Sequence, residues 1–158
     1  MRLQLKRNYF VIPSITLFIF ITGSLITIKN LDWYHTLMLP AITPAPWIFR
    51  VVWPILYTLT TAVIMFVWNK TKHDTDFKKI MTLFAINAFL NWSWSFVFFG
   101  LHNIKLACVI VLLLAATLYY LIWLIAQRSV SVSALLLPYA AWTTFASYLN
   151  YSILQLNS

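Results

Sequence analysis

The side chains best placed to do chemistry in this chain are uncharged. Trp53 and Tyr57 stand one helical turn apart, Asn87, Asn91 and Trp94 follow at i, i+4 and i+7, and Pro138, Trp142, Ala146 and Asn150 recur every fourth residue. Each set would share one face of a helix. With eight Trp, eight Tyr and twelve Phe in the chain, indoles and amides in apolar surroundings suit a flat, apolar ligand held by stacking and a few hydrogen bonds. They do not suit an ion.

Several chemistries are excluded by what surrounds these residues. The only acids are Asp32, Asp74 and Asp76, all outside the apolar stretches, and there is no glutamate; paired-carboxylate catalysis and a carboxylate proton relay through a membrane therefore lack their groups. His35, His73 and His102 also fall outside those stretches, so neither a midplane haem ligand nor a zinc cluster is available, and no metal is expected. There is no Gly-rich phosphate loop and no nucleophile elbow. Cys108, the only cysteine, reads as a small buried hydrophobe in preference to a reactive thiol.

The elements that position these residues are set by charge. Five uncharged stretches, Tyr9 to Ile28, Val51 to Trp68, Ile80 to Leu101, Leu106 to Gln127 and Ala134 to Leu154, are each long enough to cross a bilayer, which takes about 20 apolar residues. The chain is 62% hydrophobic and 9% charged, with a mean hydropathy of +0.83, more apolar surface than one core of 158 residues would hide. No stretch alternates with period two, so backbone bonding in lipid requires helices. The fold class expected is an all-α membrane protein, a five-transmembrane-helix bundle forming a single domain over residues 1–158. The first stretch is too long for a secretory h-region and lacks a small-x-small cleavage pattern, so it reads as a retained helix.

The net charge of +8 is distributed among the connections and is not arranged as a nucleic-acid-binding stripe; no nucleic acid is expected. With five spans, Arg2, Lys6, Arg7, Lys70, Lys72, Lys78, Lys79 and Arg128 share one side and Lys29, Arg50 and Lys105 the other. The positive-inside rule then places the amino terminus in the cytoplasm of a bacterial inner membrane, a mitochondrial outer membrane being the alternative. The longest connection, Lys29 to about Ile48, carries Pro40, Pro44 and Pro46 with Trp33, Tyr34 and Trp47, and reads as an ordered cap over one mouth of the bundle.

Each constellation has a purely architectural reading. Asn87 and Asn91 would serve as interhelical glue worth about 0.6 to 2 kcal/mol each, with ligand contact as a second role. Trp142 above Ala146 makes either a ledge and hollow or a tight helix contact, with Pro138 freeing the Ala134 carbonyl near the entrance. Trp53, with Pro54 taken to lie at the helix start, is either a residue beneath the cap or a member of the interfacial aromatic belt.

Taken in order, Trp33-Tyr34 with Leu37 and Pro40, Pro44 and Pro46, Val52-Trp53 with Leu56-Tyr57, Asn91 with Trp94, Phe98-Phe99-Gly100, and Pro138-Tyr139 with Trp142, Phe145-Ala146 and Leu149-Asn150 resemble the tryptophan-rich sensory protein and translocator protein family, also called peripheral-type benzodiazepine receptors. The resemblance spans nearly the whole length. It implies a five-helix bundle, commonly a homodimer, whose cavity under the first long loop binds porphyrins and isoquinoline or benzodiazepine-type ligands, with cholesterol added in animal members and light-dependent porphyrin breakdown reported for some bacterial ones. Trp53 and Trp142 correspond to the tryptophans that face the ligand and are implicated in that breakdown, and Tyr34, Asn91, Cys108 and Ala146 to other parts of the pocket; Asn87 and Trp94, which share the face of Asn91, are expected to contact the ligand with them. Porphyrin or haem would be ligand or substrate, with no cofactor required.

Some positions depart from the family pattern. Asn87 stands where many members have glutamine, Leu39 precedes Pro40 where lysine is usual, and no cation follows Tyr148 or Tyr151 to complete a sterol-type pattern. The function implied is a tetrapyrrole-binding membrane protein that senses, sequesters or photodegrades porphyrin. The alternatives are a transporter of porphyrin or sterol-like lipid, and a ligand-dependent regulatory or scaffold protein.

Overall fold

The computed structural model describes residues 7–158; Arg2 and Lys6 of the basic amino terminus lie outside them. Its helices are α1 (Asn8–Lys29), α2 (Leu31–His35), α3 (Pro46–Lys70), α4 (Thr75–Ser95), α5 (Ile104–Ala126), α6 (Val130–Ala134) and α7 (Leu137–Leu156), with no strand among the described residues. Five helices, the last being α6 and α7 taken together, are long and apolar enough to span a membrane.

Helix boundaries follow local chemistry. Asp74 caps α4 by accepting the Phe77 N–H at 2.9 Å, and Asn103 caps α5 through the Leu106 N–H at 2.9 Å. α3 begins at Pro46, five residues before the expected Val51, because proline fits the first helical turn and Arg50 is tolerated near the bilayer edge. Pro54 therefore sits inside α3, not at its start; its missing N–H falls in the helix interior. Pro138 follows the break in the last span at Leu135–Leu136 and occupies the first turn of α7, toward the basic end.

α5 packs centrally against α4 and α7, and α1 against α3 and α4, whereas α3 and α7 scarcely approach one another at the backbone. One core cluster, with Val63, Ile80, Leu118, Leu121 and Leu136 fully buried, lies toward the basic end. A second cluster, built on Phe98, Phe99, Leu149 and Ile153, lies under the Pro-rich connection. Here the end of α4 widens into a π-helical turn, Phe96–Gly100, which carries Val97, Phe98 and Phe99 consecutively into the core.

The connection between α1 and α3 is an ordered cap. Trp33 meets Phe98 edge to face (centroids 5.5 Å) and stacks on His102 at 4.1 Å, and Tyr34 packs against Phe98 and Phe99. His102 is the one described non-glycine residue with positive φ (54°), and its Nε2 lies 3.3 Å from Asn30 Oδ1. Farther along, the Asn157 side chain accepts the Met38 N–H (3.0 Å) and donates to the Met38 carbonyl (2.9 Å), fastening the cap to the end of α7.

Candidate functional site

Because α3 and α7 stand apart, side chains fill the seam between them. Phe49, Trp53 and Tyr57 recur at i, i+4 and i+8 along α3 and face Tyr139 and Trp142 of the antiparallel α7. Phe49 meets Trp142 edge to face at 5.5 Å, and Trp53 meets Tyr139 in the same manner at 6.4 Å. Trp142 also touches Phe145 (5.7 Å), and Trp53 touches Tyr57 (6.1 Å). The two indoles thus sit on facing stripes of one aromatic seam, both half-buried against the same core cluster.

Beneath Trp53 the seam runs into a cavity of about 40 Å³, lined by Thr16, Trp53, Tyr57, Asn87, Asn91 and Tyr139 among others. It has room for a few waters and not for a macrocycle. Thr60 Oγ1, at its wall, is the one buried side-chain polar atom among the described residues without a partner. Trp142, Ala146, Trp94, Cys108 and Tyr34 do not line this cavity.

The amides on α4 do face the bundle interior, and their bonds are used within the protein. The Tyr57 hydroxyl donates to Asn91 Oδ1 (2.8 Å), Asn91 Nδ2 donates to the Tyr139 hydroxyl (2.7 Å), and that hydroxyl donates to Asn87 Oδ1 (3.2 Å). Asn87 Nδ2 completes the chain to Thr117 Oγ1 (2.9 Å) and the Leu114 carbonyl (3.2 Å). Four helices are joined at one level, which forms a polar floor to the seam.

A second network fastens the cap side. Trp94 donates its indole N–H to Asn150 Oδ1 (2.9 Å), while Asn150 Nδ2 reaches the Ile104 carbonyl (3.2 Å) and Cys108 Sγ (3.0 Å). Cys108 is half-buried and acts here as a weak acceptor. Trp94 also stacks on Phe98 at 5.5 Å, so it links the cap cluster to α7. Tyr34 lies in that cap cluster, where burial pushes its phenol above the ordinary value. Ala146 is half-buried one turn beyond Trp142.

With Asn87, Asn91, Trp94 and Asn150 bonded to protein, the seam offers mainly aromatic faces and edges. It can stack a planar ring and exclude water; among the described residues no cluster of three or more His, Cys, Asp or Glu could hold a metal. Phe49 is absent from the site residues read from sequence. Its signal was the i, i+4 spacing to Trp53, which singles it out only once α7 is known to lie opposite.

Comparison with known proteins agrees with this architecture. The model of the TspO/MBR family matches residues 10–156. The chain is similar to the tryptophan-rich protein TspO of Chlorobaculum tepidum, 37% identical with 85% of this chain and 86% of the relative covered. It is also similar to the translocator protein of Homo sapiens, 32% identical with 79% and 75% covered. The tryptophan-rich sensory protein of Cereibacter sphaeroides is 28% identical, with 86% and 82% covered. On the family match and these identities, the chain belongs to the TspO/MBR family.

Proposed function

We propose that this membrane protein binds a tetrapyrrole in the seam between α3 and α7, with Trp53 and Trp142 on its two sides, and that it senses, sequesters or photodegrades that ligand. The observation that carries this reading is the aromatic seam itself: two helices held apart, the gap spanned by rings, and the neighbouring amides occupied with one another. A macrocycle replaces ring-to-ring contacts with stacking of similar kind, so entry costs little polar desolvation. Since the cavity is small, Phe49 and Trp142 must swing apart to admit the ligand. Tyr34 and Trp94 would support the seam from the cap cluster, Asn87 and Asn91 from its floor, and Cys108 and Ala146 from the α5 and α7 walls.

For the photochemical activity, light absorbed by bound porphyrin would generate an excited sensitiser, and dioxygen would be the oxidant. Trp53 and Trp142 are the oxidisable groups against the ring. The amino terminus would face the cytoplasm of a bacterial inner membrane, since Arg7, Lys70, Lys72, Lys78, Lys79 and Arg128 share one end.

Titration of the purified protein with protoporphyrin, followed by tryptophan quenching, tests this reading. A Trp53→Phe, Trp142→Phe variant should bind at least tenfold more weakly, and under illumination should no longer bleach porphyrin faster than a protein-free control. Unchanged affinity would remove both indoles from the site.

A further inference from the structure

A second recess lies at the basic end, between the first turns of α4 and the last turns of α5. It is an open groove of about 390 Å³ lined by Thr75, Lys78, Lys79, Thr82, Leu83 and Tyr120. Tyr120 stacks on Trp123 (5.7 Å), both rings are exposed, and such amphipathic aromatics settle at the headgroup level. The groove therefore straddles the boundary between lipid headgroups and acyl chains.

Most of its donors are uncommitted. Lys79 shares its charge with Asp76 at 3.2 Å, but Lys78 belongs to no ion pair among the described residues, and the nearby Asp74 is taken by Arg128. Tyr119 gives its hydroxyl to Thr144; the hydroxyls of Thr75, Thr82 and Tyr120 have no protein partner among the described residues. Toward the membrane interior the groove continues as apolar surface, with Leu83 followed by the exposed Ile86.

We propose that this groove holds an anionic phospholipid, its phosphate on Lys78 and Lys79 with the Thr75, Thr82 and Tyr120 hydroxyls around it, and one acyl chain along Leu83 and Ile86. The charge left on the lysines complements a monoanionic headgroup, and the open apolar end accounts for the chain. A soluble phosphate would leave that end uncovered. A second copy of this protein packed symmetrically would bring its own lysines against these, which is unfavourable.

The test uses the full-length protein, delipidated in mild detergent and titrated by native mass spectrometry with phosphatidylglycerol, phosphatidylcholine or glycerol phosphate. Each cation at a membrane surface changes binding about fivefold, so Lys78→Gln with Lys79→Gln should weaken phosphatidylglycerol binding ~30-fold, whereas Lys29→Gln with Lys105→Gln at the other end should not. Should the double glutamine variant fold poorly, Thr82→Val with Tyr120→Phe supplies the readout: a severalfold loss at unchanged melting temperature supports the site. Equal retention of phosphatidylglycerol by the groove variants, equal binding of phosphatidylcholine, or glycerol phosphate binding as tightly as the lipid would each overturn it.

Discussion

The ring of Phe49 meets the indole of Trp142 edge to face, with centroids 5.5 Å apart and planes at 73°. This contact closes the cap end of the seam between α3 and α7. Such pairs contribute about 0.5–1.5 kcal/mol beyond their buried area. Phe49→Ala should therefore cost about that much stability or somewhat more, and should speed protoporphyrin association severalfold in stopped-flow quenching. An unchanged association rate would mean that the ligand enters elsewhere.

Asn91 links two phenols across the bundle, and Tyr139 is buried. Asn91→Leu strands the Tyr57 hydroxyl and takes away the donor to Tyr139, whose own hydroxyl still reaches Asn87, and should destabilise the protein by about 1–3 kcal/mol in detergent unfolding. Adding Tyr57→Phe removes the stranded hydroxyl and should recover part of the loss. A purely additive double variant would show that the two residues are not coupled.

The clasp between Asn157 and Met38 is two hydrogen bonds at an exposed position. Its loss in Asn157→Ala should cost about 1 kcal/mol, seen as roughly fivefold faster amide exchange over residues 36–45 with little change in the core of α5. Uniform acceleration along the chain would instead indicate global destabilisation.

Asp74 gives the basic end a pH dependence. The Phe77 N–H, and then the Arg128 guanidinium, hold its carboxyl below the ordinary carboxylate range. Because the folded-state value is depressed, the stabilisation is present above the unfolded value of about 3.9 and is lost as pH falls through the folded value. The melting temperature of the native protein should drop on acidification below about pH 4 more steeply than that of Asp74→Asn. Parallel pH profiles would assign the acid sensitivity to another group.

The five spans are legible in the sequence because lipid leaves a charge-free stretch of that length few alternatives to a helix. Their starts are less legible: Arg50, Lys78 and Lys79 look like boundaries, yet long cationic side chains reach the headgroups from inside a helix, so α3 and α4 begin five residues earlier than their uncharged stretches. The inward amide face of α4 follows from helical period alone. The seam does not, since the pairing of Phe49 with Trp142 depends on the register between two helices and joins residues 93 positions apart in the chain. Nor does the cap clasp, which joins residues separated by 119 positions. Periodicity within one helix carries no information about which helix stands opposite.

The most direct measurement is a structure of the protein with protoporphyrin bound. The ring should lie between Trp53 and Trp142, with Phe49 displaced from its contact and the Asn91–Tyr139 hydrogen bond intact. A porphyrin seated outside this seam, with Phe49 still against Trp142, would contradict the account.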